Sequence, residues 1–261
     1  MEEIADTLEY IGYNSIASGS RGNCSIIWDD QDLLIFDFGI SLKSFKKRVS
    51  ELKVDTLNKS LFISHEHSDH TKGVGSLVKR EPVDVYSAEE TLEAMRLKNG
   101  YSIYGKIALG NFKITPVKIS HDAVNPVAFV VSYGRYKISI VSDLGVVSQE
   151  LISETKGSKI ISFESNHDVE MLRSGRYPDQ LKRRILSDHG HLSNEQAAEA
   201  LSKIVDADTE IVLAHLSQEN NTPDIALECT RSYLKNRNVG YRSLEFASQE
   251  NGSSLHMIDI P

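Results

Sequence analysis

The densest concentration of chemically useful side chains is Ser64-His65-Glu66-His67-Ser68-Asp69-His70, which holds three of the chain's nine histidines directly after an apolar run. In an extended backbone His65 and His67 fall on one side, where two imidazoles can grip one ion. Asp69 and His70 then turn toward a second. Imidazole and carboxylate suit zinc or manganese, with iron also compatible, and leave coordination positions open for water and substrate. The bland alternative is a solvated polar turn, and the crowding of histidine behind an apolar strand weighs against it.

Such ligands need a rigid frame. Apolar or alternating runs predict strands over 25–28, 33–36, 60–63, 83–86, 112–119, 126–132, 136–141, 159–163, 210–214 and 254–258. Five of them run directly into an acid or histidine: Asp37, His65, His121, Asp143 and His215. A sixth ends at Glu164-Ser165-Asn166-His167-Asp168. Loops leaving one sheet edge can converge ligands from distant parts of the chain on a single point. Helices are predicted from Ser41, with Leu42, Phe45, Val49 and Leu52 at helical spacing, and from a capping-box pattern at Ser87-Ala88-Glu89-Glu90 with Gly100 as its stop. Ser193-Asn194-Glu195-Gln196 repeats the capping box ahead of 197–205, and Thr222-Pro223 opens another helix before 224–235.

The 261 residues, 40% hydrophobic and 25% charged, allow a sizeable core. With no repeat or linker, residues 1–261 read as one domain without a separate cap. Cys24 and Cys229 form no Cys-x-x-Cys, so any metal site must use histidine and carboxylate. Met1–Asp6 is acidic and lacks the pattern of a signal peptide, and no apolar run reaches membrane-spanning length, so a cytoplasmic protein with no membrane partner is expected. The formal charge of −8 argues against a protein that coats nucleic acid, yet the basic residues are clustered, at Lys43–Arg48 and Lys182-Arg183-Arg184.

The histidine segment resembles the motif of the metallo-β-lactamase fold superfamily. His121, Asp143 and His215 stand at that superfamily's later ligand positions, and Asp37 matches its acidic strand end. The resemblance covers nearly the whole chain. It implies an α/β fold, a four-layer αβ/βα sandwich of two mixed sheets flanked by helices, with two divalent ions. His65, His67 and His121 would hold one ion, Asp69, His70 and His215 the other, and Asp143 would bridge them. Within the superfamily the chain is similar to the YycJ/WalJ branch, whose members are regarded as DNA exonucleases. That narrower match rests on Ser18-Gly19-Ser20-Arg21-Gly22-Asn23, Glu164–Asp168, Gly190-His191-Leu192-Ser193-Asn194 and Ala214–Asn221. Phe36-Asp37-Phe38 departs from the branch's usual Ile-Asp-x-Gly while keeping Asp37 and Gly39, and Asp188-His189 is unusual.

The resemblance and the chain's own lengths narrow the chemistry. Neither cysteine is near a ligand position and Asp143 is present, which disfavours a lactamase. Only 46 residues follow His215, too few for the helical domain of thioester hydrolases, and the 71 residues of 144–214 are too short for an inserted cap. A compact two-metal phosphodiesterase remains, with Asp69 and Asp143 in the reaction centre. His191 precedes a helix start at Ser193 and Asn194, where free N–H groups favour an anion, so it is expected to contact phosphate and protonate the leaving group; the alternative is a plain loop histidine. His167 and Asn166 are expected to line the substrate pocket or to orient the ligands beyond it. Gly19–Asn23 reads as a tight turn, beside the site or in an ordinary hairpin. Arg176 could track a nucleic-acid backbone and Tyr177 stack on a base, against the alternative of a solvated face. His256 reads as a core or edge histidine.

The expected function is therefore a metal-dependent DNA exonuclease, 5′ to 3′ by resemblance, with nucleic acid as partner and DNA favoured over RNA. A small-molecule hydrolase acting on a cyclic nucleotide, thioester or lactone is the second reading. A non-catalytic binding module is the third, and the full ligand set from His65 to His215 disfavours it.

Overall fold

A computed structural model describes residues 9–260, so the acidic segment Met1–Asp6 lies outside the described residues. The chain builds β1 (Glu9–Ala17), β2 (Cys24–Trp28), β3 (Asp32–Phe36), α1 (Leu42–Glu51), β4 (Asn58–Phe62), α2 (Ser68–Thr71), α3 (Val74–Arg80), β5 (Val83–Ser87), α4 (Glu89–Ala94) and β6 (Tyr101–Ser102). It continues with β7 (Ile107–Leu109), β8 (Phe112–Lys118), β9 (Val127–Tyr133), β10 (Tyr136–Val141), α5 (Gln149–Thr155), β11 (Ile160–Glu164), α6 (Val169–Ser174) and α7 (Asp179–Ile185). Then follow α8 (Asn194–Ile204), β12 (Glu210–Ala214), α9 (Pro223–Asn236), β13 (Ser243–Phe246) and β14 (His256–Ile260). One seven-stranded sheet has the order β14-β1-β2-β3-β4-β5-β6 and the other β13-β12-β11-β10-β9-β8-β7. Both are mixed: β3 to β6 run parallel in the first and β10 to β13 in the second, and the rest are antiparallel.

Strand alternation explains the layers. In β3, Leu33 and Ile35 pack with Phe45 and Val49 of α1 and Leu77 of α3, whereas Leu34 and Phe36 join Phe62, Phe129 and Val212 between the sheets. In the second sheet Val141, Ile161 and Leu213 pack outward against Leu151, Ala197, Leu201 and Leu234. A strand buried on both faces reads as an unbroken apolar run, which is why these strands were visible in the sequence. The result is the expected αβ/βα sandwich of two mixed sheets flanked by helices. Among the described residues no helix is long and apolar enough to cross a membrane.

Three of the expected helix starts form with the predicted caps. Ser41 accepts from the Ser44 N–H, Ser193 and Gln196 close a capping box, and Thr222 accepts from the Ile225 N–H ahead of Pro223. The box expected at Ser87 does not form. Ser87 is the last residue of β5 and its hydroxyl donates to the buried carbonyl of Ile63 at 2.7 Å, a tertiary bond that removes it from capping duty. α4 starts behind Ala88 without a side-chain cap, and the chain turns at Arg96, φ 55°, before reaching Gly100.

β1 was not expected, because Gly12, Asn14 and Ser15 interrupt its apolar pattern. Its neighbours supply the reason for each. A Cβ on Gly12 would sit 2.2 Å from the Trp28 ring, and the Asn14 amide donates to the carbonyls of Ser253 and Ser254 at 2.9 and 3.0 Å.

Candidate metal centre

The site forms where strands end. Asp37 follows β3, Asp143 lies two residues beyond β10, and His215 follows β12, all three in the left-handed region at φ 59°, 60° and 55°. A non-glycine residue there costs about 1 kcal/mol or more. The chain tolerates this strain three times, after one strand of the first sheet and two of the second, and each time it turns a polar side chain sharply off a strand.

Four overlapping groups of possible ligand atoms result, two of them sharing His191 (with His121 and Asp143, and with Glu164 and His215), and the other two hold the seven expected ligands. His65, His67 and His121 form the first, with His121 Nε2 3.3 Å from His67 Nδ1 and the His65 ring centroid 4.7 and 5.1 Å from those of His67 and His121. Asp69, His70, Asp143 and His215 form the second: Asp69 Oδ2 lies 3.4 Å from both His70 Nε2 and His215 Nε2, and His70 Nε2 lies 3.0 Å from Asp143 Oδ2. The other oxygen of Asp143 is 3.8 Å from His121 Nε2, so this carboxylate spans the gap between the groups. The ligand atoms of each group lie within 4.8 Å of one another.

The electrostatics ask for a cation. Burial opposes charge on His70, yet Asp37 and Asp143 overcome it and raise its pKa well above the usual imidazole value. Burial likewise opposes charge on His215, which Asp143, Asp69 and Glu164 reverse. Asp69 and Asp143 are held far below the carboxylate range, against burial, by the same imidazoles. His65 behaves differently: burial first, then His70, drive its pKa down, and its Nε2 is buried with no hydrogen-bond partner. A buried imidazole lone pair with no partner, beside carboxylates that need positive charge, fits a divalent metal ion.

The supporting residues come from far away in the chain. Asp37 receives the Ser64 N–H at 2.8 Å and the Ser64 hydroxyl at 2.9 Å, and its Oδ2 lies 2.7 Å from His70 Nδ1, which fixes that ring. The Gly19–Asn23 turn packs on the site itself. Asn23 Nδ2 donates to Asp69 Oδ2 at 3.2 Å and lies 3.0 Å from His70 Nε2. The approach requires glycine, since a Cβ on Gly39 would stand 1.6 Å from the Asp69 carbonyl and one on Gly22 2.0 Å from the Gly39 carbonyl.

Glu164, expected as a strand-end acid in a segment that lines the site or orients its ligands, is fully buried at the end of β11. Its Oε2 accepts the Leu144 N–H at 2.9 Å and its Oε1 lies 2.7 Å from His191 Nδ1. His191 sits between the groups, its ring 5.2 Å from that of His121 and 5.3 Å from that of His215. Burial disfavours its charge, but Glu164 prevails and raises its pKa. An acid ending an apolar strand was the available signal for Glu164.

The expected substrate contacts are placed less openly. Asn166 Nδ2 donates to the His215 carbonyl at 2.9 Å, Ser193 is committed to its cap, and Asn194 is fully buried, bonded to Ser165 and Asn221. His167 is 1% exposed with neither ring nitrogen bonded, and burial pushes its pKa down to about 4. The side chains of Asn166, Ser193 and Asn194 are thus engaged within the ligand loops, while the buried His167 ring makes no side-chain hydrogen bond. Arg176 is exposed and Tyr177 half-buried in the link between α6 and α7, while Arg184 of α7 pairs with Asp122, next to His121. His189 Nδ1 lies 3.0 Å from the Ser120 hydroxyl and its carbonyl accepts the Asp122 N–H, bracing the same loop.

Residues 35–216 match the family described as a beta-lactamase superfamily domain, a stretch containing both ligand groups. A Bacillus anthracis protein named exodeoxyribonuclease YycJ is 36% identical over 240 residues, covering 87% of this chain and 90% of that protein. Exodeoxyribonuclease WalJ of Streptococcus pneumoniae serotype 2 (strain D39) is 36% identical over 228 residues, covering 82% of this chain and 84% of that protein. Among solved structures, the metallo-beta-lactamase fold protein YhfI of Bacillus subtilis superposes with a TM-score of 0.71 at 16% identity, over 96% of this chain and all of that one. The short form of human tRNase Z superposes with a TM-score of 0.59 at 16% identity, over 96% and 99% of the two chains.

Proposed function

From the premise that the chain belongs to the beta-lactamase superfamily domain family and is a metal-dependent hydrolase, we propose that it is a two-metal DNA exonuclease, cutting from the 5′ end and acting in the cytoplasm. The observation that carries the reading is Asp143 set between two ligand groups, one of imidazoles and one of imidazoles with carboxylate. It is supported by relatives named exodeoxyribonuclease across more than four-fifths of the chain.

His65, His67 and His121 would hold one ion and Asp69, His70, His215 and Asp143 the other, a donor set that suits zinc and manganese. Bound there, such ions would supply charge neutralisation and Lewis acidity to a phosphodiester. The chain's own residues do the rest. Asp37, Ser64 and Asn23 keep the second group in register. Glu164 keeps a proton on His191 Nδ1, and His191, its side chain 19% exposed, offers its other nitrogen to the departing oxygen. Arg176 and Tyr177 meet the strand beyond the site. With Asn166, Ser193 and Asn194 tied into the loops, the segment around His191 is held in place, and His167 beside it keeps both ring nitrogens free.

The test is metal analysis followed by incubation with end-labelled single- and double-stranded DNA, with manganese and zinc compared. The expected result is shortening from the 5′ end, abolished by Asp69→Ala. Metal-loaded protein that leaves DNA and RNA intact while cleaving cyclic nucleotides or thioesters would overturn the reading.

A further inference from the structure

The two basic clusters of the sequence meet different fates in the fold. On α1, Lys46 pairs with Glu81 at 2.6 Å, while Lys47 and Arg48 both reach Glu51, at 3.8 and 3.5 Å, so that cluster is largely engaged with acids. Residues 173–184 differ. They hold Arg173, Arg176, Lys182, Arg183 and Arg184 against a single acid, Asp179. Arg173 pairs with Glu170 at 3.4 Å and Lys182 donates to the Arg173 carbonyl at 2.7 Å, but Arg176, Lys182 and Arg183 form no ion pair among the described residues. In a protein of formal charge −8 this is a local excess of cations, the field that draws a phosphate backbone.

The end of α7 is also fastened to two segments of the metal centre. The Ile185 carbonyl accepts the His191 N–H at 2.9 Å, and the His189 carbonyl accepts the Asp122 N–H at 3.1 Å. A Cβ on Gly190 would stand 2.2 Å from the Ile185 carbonyl, so the contact admits no larger residue. Within this frame Arg184 Nε donates to Asp122 Oδ2, and Oδ1 of the same carboxylate lies 3.4 Å from His121 Nε2. One carboxylate therefore separates the guanidinium from an atom of the first ligand group. Asp122 engages Nε alone. The two Nη groups of Arg184 make no hydrogen bond or ion pair, and its side chain is 55% exposed. A guanidinium held at one nitrogen with its terminal fork free is suited to a phosphate.

We infer that Arg184 is a phosphate-binding residue, which grips the DNA phosphate next to the one at the metal centre, on the His121 side, with Arg183 and Arg176 carrying the strand onward. The inference rests on the DNA-exonuclease reading. Asp122 is then a positioning residue, since it fixes the guanidinium against the ligand loop. The contact is to the backbone and carries no base preference.

The experiment uses metal-loaded protein. Binding is read with a single-stranded 20-mer of phosphorothioate linkage, which resists cleavage, and turnover with the ordinary 20-mer beside a small diester, bis(p-nitrophenyl) phosphate. Arg184→Gln is expected to weaken 20-mer binding about tenfold and to lower the log–log salt slope by about 0.7, the value of one contact on a single strand. The ratio of kcat/KM on the oligonucleotide to that on the diester should fall by a similar factor, mostly through KM. Arg176→Gln/Arg183→Gln should lower the slope by about 1.4. Lys47→Gln, in the acid-paired cluster, is the control and should leave binding, slope and ratio unchanged. Unchanged affinity and slope in Arg184→Gln overturn the contact while leaving the nuclease reading intact. Equal losses on the oligonucleotide and the diester also overturn it, because they report damage to the ligand loop. Failure of the unmodified protein to bind or cut the oligonucleotide, with the diester still hydrolysed, overturns both readings.

Discussion

Two buried clusters of histidine and carboxylate lie at opposite ends of β12, and they are built to opposite rules. At the start of the strand, His256 has Nδ1 2.6 Å from Glu210 and Nε2 2.7 Å from Glu245, so both ring nitrogens are satisfied within the protein. At its end, around His215, imidazoles face one another and His65 Nε2 has no partner at all. The residue types are alike; the lone-pair accounting differs. A histidine saturated by acids is an ion pair that ties the first sheet to the second, whereas histidines turned on each other with unspent lone pairs make a ligand site. Counting acids and histidines in the sequence therefore could not separate the two, while their spacing partly could.

The most severe way to break the comparison is to remove the carboxylate that spans both ligand groups. Asp143→Asn is expected to lower kcat on DNA by about 10³-fold or more and to reduce bound metal below two ions per chain, read by elemental analysis alongside turnover. Retention of both ions with normal turnover would refute the assignment. His191→Ala should cost about 10²-fold in kcat with metal content intact, because the ring touches the site without being needed to hold it. Glu164→Gln is a finer probe of the same residue. Glu164 raises the His191 pKa, and a proton donor loses activity as pH rises through its pKa. Replacing the acid should therefore move the alkaline limb of the kcat/KM profile to lower pH. An unmoved limb would show that His191 is not the donor.

Smaller still is the effect of Asp37→Asn, which leaves every ligand in place and loosens only the His70 ring. Such support contributes about 10- to 100-fold in metal affinity, to be read by chelator competition, with turnover restored at high metal concentration. The outcome would separate residues that hold the ion from those that hold its ligands.

How much of this was legible depends on distance along the chain. The His65–His70 motif is local, and strand ends announce themselves by an apolar run meeting an acid or histidine, so the His/Asp cluster and the sandwich could both be read. The braces could be read as residues, Asp37 and Glu164 as strand-end acids and Asn23 in its turn, but their partners could not. Asp37 meets His70 across 33 residues, Glu164 meets His191 across 27, and Asn23 meets Asp69 across 46. β1 failed to read as a strand for the same reason, since Asn14 is paid for by Ser253, 239 residues away. Ser193 was read as a cap and forms one, while the bonds of the Asn194 side chain to Ser165 and Asn221, 29 and 27 residues away, had no local signal.

His256 gives the mildest perturbation and the cleanest control, because it tests the satisfied cluster without touching the metal centre. Burial opposes its charge, but the hydrogen bonds its ring donates to Glu245 and Glu210 outweigh burial and raise its pKa. The folded chain thus holds a proton there that the unfolded chain releases near the ordinary imidazole value. The stabilisation is fully present below about pH 6.5 and is lost as pH rises through the folded value. Glu245, depressed in the folded chain against burial by His256 and Ser254, adds stability that disappears at acid pH. His256→Gln should therefore lower stability at pH 6 by about 1–2 kcal/mol and flatten the decline between pH 6 and 9, measured by urea unfolding at fixed metal concentration. DNA cleavage by the folded variant should keep its pH profile. If the variant retains the wild-type decline in stability, the proton resides elsewhere. The contrast between a saturated and an open histidine cluster would then have to rest on geometry alone.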